Sequence, residues 1–414
     1  MTAMPAVAPA APHLRHEREP CVLLKLGEIV LKGANRQHFE RLLHGNIRNA
    51  VRDLGFSLRI WQRDGVIVLA PVIGQAGVPA GAWSADAAAD LIAERMLNVM
   101  GVVRVCRAVR VAKDPRAAVD VAVELAADRA GSFAVRAKRR DKRFPVTSAD
   151  LAVSIGSRIQ ELYGNPVNLR RPDFTIHVEV DQAEVFVYAD GPPGQGGLPV
   201  GMSGRAVVLM SGGIDSPVAA YRMMRRGLRC RFLHFSGMPL TGPESVYKAY
   251  GLVRQLDRFQ GESRLYVVAF GRAQQRLAAS GAGRLQVVAQ RRLMLKTAEA
   301  MARRLRAGAL VTGDSLGQVS SQTLTNITAL DDAVRLPILR PLIGLDKTEI
   351  IAEARRISTL ALSELPDQDC CSLLTPPHPE TRARISDLRR IENRMDADEL
   401  ATELAAAARE YRPG

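Results

Sequence analysis

Aromatic residues are scarce, at 5% of a 414-residue chain, while Ala, Arg and Leu are frequent. That balance disfavours an all-β sandwich and points to helix-rich α/β or α+β layers. Cysteine is scarce as well. Five thiols in a chain this long cannot form a disulfide scaffold, and the one adjacent pair, Cys370 and Cys371, matches no common zinc spacing. Reduced thiols are therefore expected, open to thiolate, persulfide and disulfide chemistry. No stretch approaches the ~18 to 20 continuous apolar residues that span a bilayer, and the apolar start is broken by prolines and lacks a basic n-region. A soluble, cytoplasmic protein without a membrane partner is the expectation. Gly-Lys-Ser/Thr of the Walker loop is missing, as is the G-x-G-x-x-G of dinucleotide folds. Acidic residues are outnumbered: 57 Lys plus Arg stand against 43 Asp plus Glu, giving +14 and a pI near 10.0. Such a surplus favours a polyanionic partner, nucleic acid ahead of an anionic membrane.

The chain has material for two or three packed domains, with 47% hydrophobic residues. Residues 1–20, rich in Ala and Pro, read as a disordered tail. Residues 21–85 read as a small α+β domain: a strand from Cys21, an amphipathic helix carrying Phe39, Leu42, Leu43 and Ile47, and a hairpin through Asp64-Gly65. Residues 86–190 alternate helices (85–99, 119–130, 148–162) with strands (102–111, 132–138, 174–180, 184–188). Breakers concentrate in residues 191–204, a linker. From 205 to 385, short apolar runs at 206–210, 229–235, 265–270 and 309–312 alternate with helical stretches, the pattern of a doubly wound parallel sheet. Residues 386–414 read as a charged helical tail.

The reaction class is carried by Ser211-Gly212-Gly213-Ile214-Asp215-Ser216, placed between the first strand of that sheet and a helix. A Gly-Gly pair allows close approach of the backbone, and free amides at a helix start make an anion nest that suits phosphate. A plain glycine-rich turn is the bland alternative. His234-Phe235 and Gly313 to Gln318 fall at carboxyl ends of neighbouring strands, where open α/β sheets bind ligands. A His beside a Phe there is more often local packing. Between Arg136 and Arg143, six of eight residues are basic. Such a run is usually a solvated face, but the net charge turns it towards RNA phosphates.

Ser-Gly-Gly-x-Asp-Ser resembles the pyrophosphate loop of ATP pyrophosphatases, which cleave ATP between the α and β phosphates. Further stretches resemble the tRNA 4-thiouridine synthetase family: Lys25 to Glu28, Leu31 to Arg36, Lys138 to Pro145, Val208 to Ala219, Gly313 to Gln322, Leu339 to Lys347, and Asp369-Cys-Cys371. The resemblance implies a ferredoxin-like domain, a THUMP RNA-binding domain and a C-terminal pyrophosphatase domain. It implies ATP held by Leu209, Met210, Ser211, Gly212, Gly213, Ser216, His234, Phe235, Arg291, Gly313 and Gln322. Asp215, ordering Mg²⁺ that arrives with ATP, and Lys347 would stand at the phosphates, with no resident metal. For Lys347 the bland alternative is a solvent-facing helix start with Glu349.

The tRNA surface implied comprises Lys25, Lys32, Arg36, Arg136, Lys138, Arg139, Arg140, Lys142 and Arg143, extended by Arg170 and Arg171. The predicted product is 4-thiouridine at position 8 of tRNA, through an adenylated base and a persulfide on Cys370 or Cys371, with Cys371 preferred. Cys21, Cys106 and Cys230 lie in apolar strands and read as core. Some relatives carry a C-terminal rhodanese domain. This sequence ends at Gly414 without one, so a cysteine desulfurase or separate rhodanese protein is the expected sulfur donor. A link to thiamine synthesis and a homodimer are carried over by analogy only. Two rivals remain at this stage, a pyrophosphate-loop amidotransferase and a catalytically idle tRNA-binding protein.

Overall fold

A computed structural model describes residues 18–63, 65–73, 83–366 and 374–413. Most of the expected N-terminal tail lies outside these residues, as does the Cys370-Cys371 pair. The chain divides into two compact units. One takes the chain up to Leu26, Asp53–Leu97 and Val103–Gly194; the other takes Gly27–Arg52, Asn98–Val102 and Gln195–Gly414.

The first unit is built on β1 (Glu19–Leu26). The helix α1 (Arg36–Ala50) that follows groups with the second unit. The chain returns through β2 (Ser57–Arg63), β3 (Val66–Val72), α2 (Ala85–Met96), β4 (Val102–Val111), α3 (Pro115–Ala126), β5 (Phe133–Arg139), α4 (Ser148–Tyr163), β6 (Phe174–Val180) and β7 (Val185–Ala189). These strands make one seven-stranded sheet in the order β2-β3-β1-β4-β7-β6-β5. The expected hairpin is present, with Arg63 opposite Val66 and Gly65 at φ +69°, a conformation that costs a glycine little. The alternation of β6 and β7 sorts side chains by face. Val178, Val185 and Val187 join the helices α3 and α4 in one core, while Phe186 and Tyr188 join Cys21, Leu23 and Cys106 in another. Helix α3 begins four residues before the expected start. Asp114 caps it, accepting from the amides of Arg116 and Ala117, with Pro115 at the first helical position.

In the second unit the order is β8 (Arg205–Leu209), α5 (Asp215–Arg225), β9 (Arg229–Ser236), α6 (Glu244–Gln260), β10 (Leu265–Ala269), α7 (Gly271–Ala279), α8 (Gln286–Leu305) and β11 (Ala309–Val311). Then come α9 (Leu324–Asp331), β12 (Ile338–Leu339), α10 (Lys347–Arg356), α11 (Leu360–Ser363), α12 (Ile385–Arg394), α13 (Ala397–Ala406) and β13 (Arg409–Tyr411). The sheet order is β12-β11-β8-β9-β10-β13. Neighbouring strands from β12 to β10 pair in parallel, and β13 adds an antiparallel edge. Helices cover both faces: α8, α12 and α13 pack in one core, α5, α6 and α10 in the other. This is the doubly wound arrangement expected from the alternating pattern.

The segment read as a helical tail does more than form helices. Leu388, Ile391, Leu400 and Ala401 enter the α8 core, and β13 pairs Tyr411 with Leu265. Among the arginines of α8, Arg292 is fully buried; its guanidinium donates to Glu392 at 2.5 and 3.0 Å and to Asp332 at 3.1 Å. Removing one partner of such a buried, bidentate pair costs about 3 to 5 kcal/mol, so α12 is anchored to α8 by charge as well as by packing.

Candidate nucleotide and tRNA sites

The strand order places a topological switch point between β8 and β11. The chain leaves β8 to one side through β9 and β10, then crosses to the other through β11 and β12. Segments leaving two such strands diverge and open a crevice at their carboxyl ends. Both sequence motifs fall there. Ser211 to Ser216 leads from β8 into α5, whose first-turn amides have no intrahelical acceptor. The loop is braced from within: the Ser211 amide donates to Ser216 Oγ at 3.0 Å, and the Gly213 amide donates to Ser211 Oγ at 3.3 Å. Ser363 of α11 donates to the Gly213 carbonyl at 3.4 Å.

Gly313, just beyond β11, lies against the start of α5. A Cβ at this position would stand 2.8 Å from the Ser216 nitrogen and 2.9 Å from the Asp215 carbonyl carbon, both backbone atoms that cannot swing away. Gly313→Ala is therefore expected to displace the loop. The measurement is ATP binding by calorimetry, with a fall of at least about tenfold expected. Gly213→Ala, whose Cβ would meet only Ser211 Oγ at 3.5 Å, should be far milder.

Asp215 and Lys347, far apart in sequence, meet at 2.7 Å, and Gln318 Nε2 donates to the second carboxylate oxygen at 3.0 Å. Lys347 does open a helix, but that start is secured without it: Asp346 and Glu349 form a reciprocal capping box. The ammonium is thus free to serve the loop.

The Gly313 to Gln318 segment also carries a buried carboxylate, Asp314, that the sequence does not single out. Asp314 is 3% exposed and accepts from Thr312 Oγ1 at 2.7 Å, Gln322 Nε2 at 3.3 Å and Arg340 Nε at 3.2 Å, and it also pairs with Arg291. Burial alone would raise its pKa. The Arg291 guanidinium, the Thr312 hydroxyl and Arg340 outweigh burial and hold it below the usual carboxylate range. Arg291 also donates to Ser321 Oγ at 3.1 Å. The expected Arg291, Gly313 and Gln322 are thus gathered around Asp314. Its signal in sequence was an acid three residues past a short apolar strand.

His234 is buried and spans two elements, with Nδ1 2.9 Å from the Met210 carbonyl and Nε2 3.2 Å from Ser245 Oγ. A carbonyl only accepts, so Nδ1 carries the proton. Phe235 packs edge-on to Phe270, and Leu209 is half-buried against the same core. His234 thereby ties β9 to the residue just before the loop.

The basic run divides. Arg136 and Lys138 occupy the exposed face of β5, an edge strand, while Val135 and Ala137, which alternate with them, pack against the core. Arg139 is half-buried and donates to the Phe144 carbonyl at 2.9 Å. Asp141, which interrupts the run, is buried and accepts from the Arg143 amide at 2.9 Å and its Nε at 3.1 Å, and also pairs with Lys113. Those contacts, that of Arg143 first, hold the Asp141 carboxyl well below its ordinary range. Arg136, Lys138 and Lys142 are exposed and have no carboxylate partner among the described residues; Arg140 is half-buried. Arg170 and Arg171 are exposed on the turn after α4.

The other three expected RNA contacts are engaged locally. Lys25 donates to Tyr188 Oη at 2.7 Å, Lys32 pairs with Glu28 at 2.7 Å, and Arg36 pairs with Glu40 at 2.6 Å. Lys32 and Arg36 also belong to the second unit rather than to the unit holding the basic run. Among the described residues, no group of three His, Cys, Asp or Glu side chains could hold a metal ion, and no helix is long and apolar enough to cross a membrane.

A glycine-rich phosphate-type loop at the switch point of a doubly wound sheet, in a chain that also carries a mixed seven-stranded sheet, defines a nucleotide-loop α/β protein with an appended α+β unit. Comparison with known proteins narrows the class. Residues 201–397 match the family described as thiamine biosynthesis protein (ThiI), residues 116–190 the THUMP domain, and residues 21–76 the ThiI ferredoxin-like domain. A "Probable tRNA sulfurtransferase" of Nocardia farcinica is 50% identical over 402 residues, covering 95% of this chain and 94% of its own. A protein of the same name from Thermus thermophilus is 42% identical over 387 residues, covering 92% and 90%. Among solved structures, a 4-thiouridine synthetase in complex with RNA and bound ATP superposes with a TM-score of 0.84 at 29% identity, covering 95% of this chain and 99% of that one. The chain belongs to the tRNA sulfurtransferase family.

Proposed function

We propose that this protein is an ATP-dependent tRNA uracil 4-sulfurtransferase that makes 4-thiouridine at position 8. The observation that carries the reading is the Asp215–Lys347 pair at the mouth of the loop, a carboxylate and an ammonium 2.7 Å apart beside a helix start. An anion nest with a flexible cationic side chain beside it suits a reaction that expels pyrophosphate. The 4-oxygen of uridine attacks the α-phosphate of ATP, the bond from that phosphorus to the bridging oxygen breaks, and pyrophosphate leaves. Lys347 and Arg291 stabilise the charge that grows on the departing group. The outer sulfur of a cysteine persulfide then attacks C4, AMP leaves with the former carbonyl oxygen, and a second thiol supplied from solution attacks the enzyme sulfur, breaking the S–S bond to leave the sulfur on C4 and a disulfide between that thiol and the enzyme cysteine. Asp215 fits Mg²⁺, which binds through one or two carboxylates together with substrate phosphates and supplies charge neutralisation when present.

The sulfur on that persulfide comes from a cysteine desulfurase or a rhodanese protein. Thiamine biosynthesis, named in the description of the matching family, would be a second use of the same persulfide, through thiazole formation. The amidotransferase rival is decided by mass spectrometry of the product nucleoside, since sulfur replacing oxygen adds mass and nitrogen replacing oxygen removes it. A gain supports thiolation; a loss ends it.

The face of β5 that carries Arg136 and Lys138 is the proposed tRNA contact of the first unit. Arg136→Gln with Lys138→Gln is expected to weaken tRNA binding almost uniformly across sequences. The dependence of log K on log salt should become shallower by about 0.7 to 0.9 for each phosphate that is no longer neutralised. An unchanged slope in a filter-binding series would remove this strand from the interface.

A further inference from the structure

At the end of the second unit's sheet opposite the nucleotide loop lies a cleft of about 290 Å³. Its lining includes Arg52, Arg229, Arg231, Arg264 and Arg412, with Glu262 as the one carboxylate among the described lining residues. Topology explains the placement. Arg205, Arg229 and Arg264 stand at, or directly before, the first residues of β8, β9 and β10, at the amino ends of parallel strands. The nucleotide loop follows the carboxyl end of β8.

The arginines crowd one another. Arg205 is in register with Arg229, and the Phe232 amide bonds to the Arg264 carbonyl at 3.1 Å, which sets Arg231 and Arg264 on adjoining strands. Like charges directly across neighbouring strands destabilise a sheet. Two nearby carboxylates are already engaged, Glu262 by Arg52 at 2.8 Å, and Glu410 by Arg412 at 3.1 Å and Arg264 at 3.4 Å, while burial raises the pKa of a third, Asp257, to about 6. Arg229 finds only the Gln260 carbonyl, at 3.3 Å, and Arg231 has no carboxylate partner among the described residues. Burial first, then the neighbouring arginines, pulls Arg229 and Arg231 below the usual guanidinium range, a sign of positive charge that the protein itself leaves uncompensated. Sites that break a local stability rule in this way are where function is to be sought.

We infer that this cleft binds phosphate groups of the RNA backbone, as a contact separate from the nucleotide loop and from the basic run on β5. Guanidinium forks match phosphate oxygens in bidentate fashion. One free phosphate carries too little charge to balance five arginines set against Glu262 and Glu410, whereas a strand brings a new charge with each nucleotide. The inference rests on the reading of the protein as a tRNA enzyme, and it adds a positively charged surface on the pyrophosphatase unit itself.

The test is tRNA binding over a salt series for the wild type, for Arg229→Gln with Arg231→Gln, and for the exposed control Arg276→Gln on α7. The double variant is expected to bind about tenfold more weakly, with a slope shallower by about 0.7 to 0.9 for each phosphate released from the cleft, while the control is unchanged. Its melting temperature should hold or rise, because repulsion has been removed. Should the double variant fold poorly, Arg231→Gln alone reads the same slope at about half the effect. A folded variant with unaltered affinity and slope overturns the inference. So does a wild type whose melting is raised by inorganic phosphate or pyrophosphate through Arg231 while tRNA binding ignores that residue, which would make the cleft a small-anion site. Failure of the wild type to bind tRNA at all would instead strike the functional reading.

Discussion

Asp215→Asn is expected to lower pyrophosphate release in the presence of tRNA and ATP by on the order of a hundredfold or more, with almost no change in melting temperature. The two halves of that expectation come from one geometry. Asp215 holds Lys347 at 2.7 Å and Gln318 at 3.0 Å, so the carboxylate organises the cation beside the loop. The asparagine keeps the shape and loses the charge that orders the lysine and that would hold Mg²⁺ arriving with ATP. Stability should not follow activity, because the pair is partly open to water, with side chains 43% and 22% exposed, and such pairs contribute about 0 to 1 kcal/mol. Lys347→Ala supplies the complementary test. The capping box of Asp346 and Glu349 would still start α10, so a loss of rate without a loss of helix would separate a role at the phosphates from a role in the fold. Unchanged pyrophosphate release in both variants would leave the pair as a surface ion pair.

The second large effect is expected at Cys371. Cys371→Ser should abolish sulfur incorporation to the detection limit while pyrophosphate is still released, so that adenylated tRNA accumulates; Cys370→Ser should retain thiolation. Both residues lie outside the described part of the chain, and thiol reactivity singles them out. Sulfur transfer needs a thiolate. Cys21, Cys106 and Cys230 are buried, and burial pushes Cys21 and Cys230 up to about 12 and raises Cys106. A thiol with a pKa near 12 is ionised to about one part in 10⁵ at neutral pH, too little to carry turnover. The remaining thiols are the adjacent pair. Thiolation that survived Cys371→Ser and failed in Cys370→Ser would exchange their roles.

Much of the fold can be read from the chain because its patterns are local. Val102–Val111 and Phe174–Val180 are strands whose apolar alternation needs no partner to be seen, and Ser148–Tyr163 announces itself by Thr147 as a cap and Gly164 as a left-handed stop. Other features exist only through tertiary contact. β13 is three exposed residues, Arg409 to Tyr411, with no apolar signature; the open edge of β10 makes it a strand. The start of α3 was legible in Asp114-Pro115 but is hidden from a reading that waits for apolar periodicity.

The same division runs through the candidate site. The Ser211 to Ser216 loop is visible as spacing, and Asp215 meets Lys347, the two residues that the family resemblance would set at the phosphates. Asp314 is different. Its importance arises because α8 brings Arg291, and the segment after β12 brings Arg340, to one buried carboxylate, a convergence no linear motif encodes. Charge density likewise says little about availability. Lys25, Lys32 and Arg36 look like RNA contacts in the sequence, yet each is occupied by a hydroxyl or carboxylate neighbour, whereas Arg136 and Lys138 stand exposed.

If an oxygen of tRNA opens ATP at its α-phosphate, incubating the protein with ATP labelled at that phosphate and with unmodified tRNA, in the absence of any sulfur source, moves the label onto the RNA. Expected are label attached to tRNA, one pyrophosphate released for each label bound, and both lost together in Asp215→Asn. Release of ADP and inorganic phosphate, or pyrophosphate formed equally well without tRNA, would contradict that chemistry.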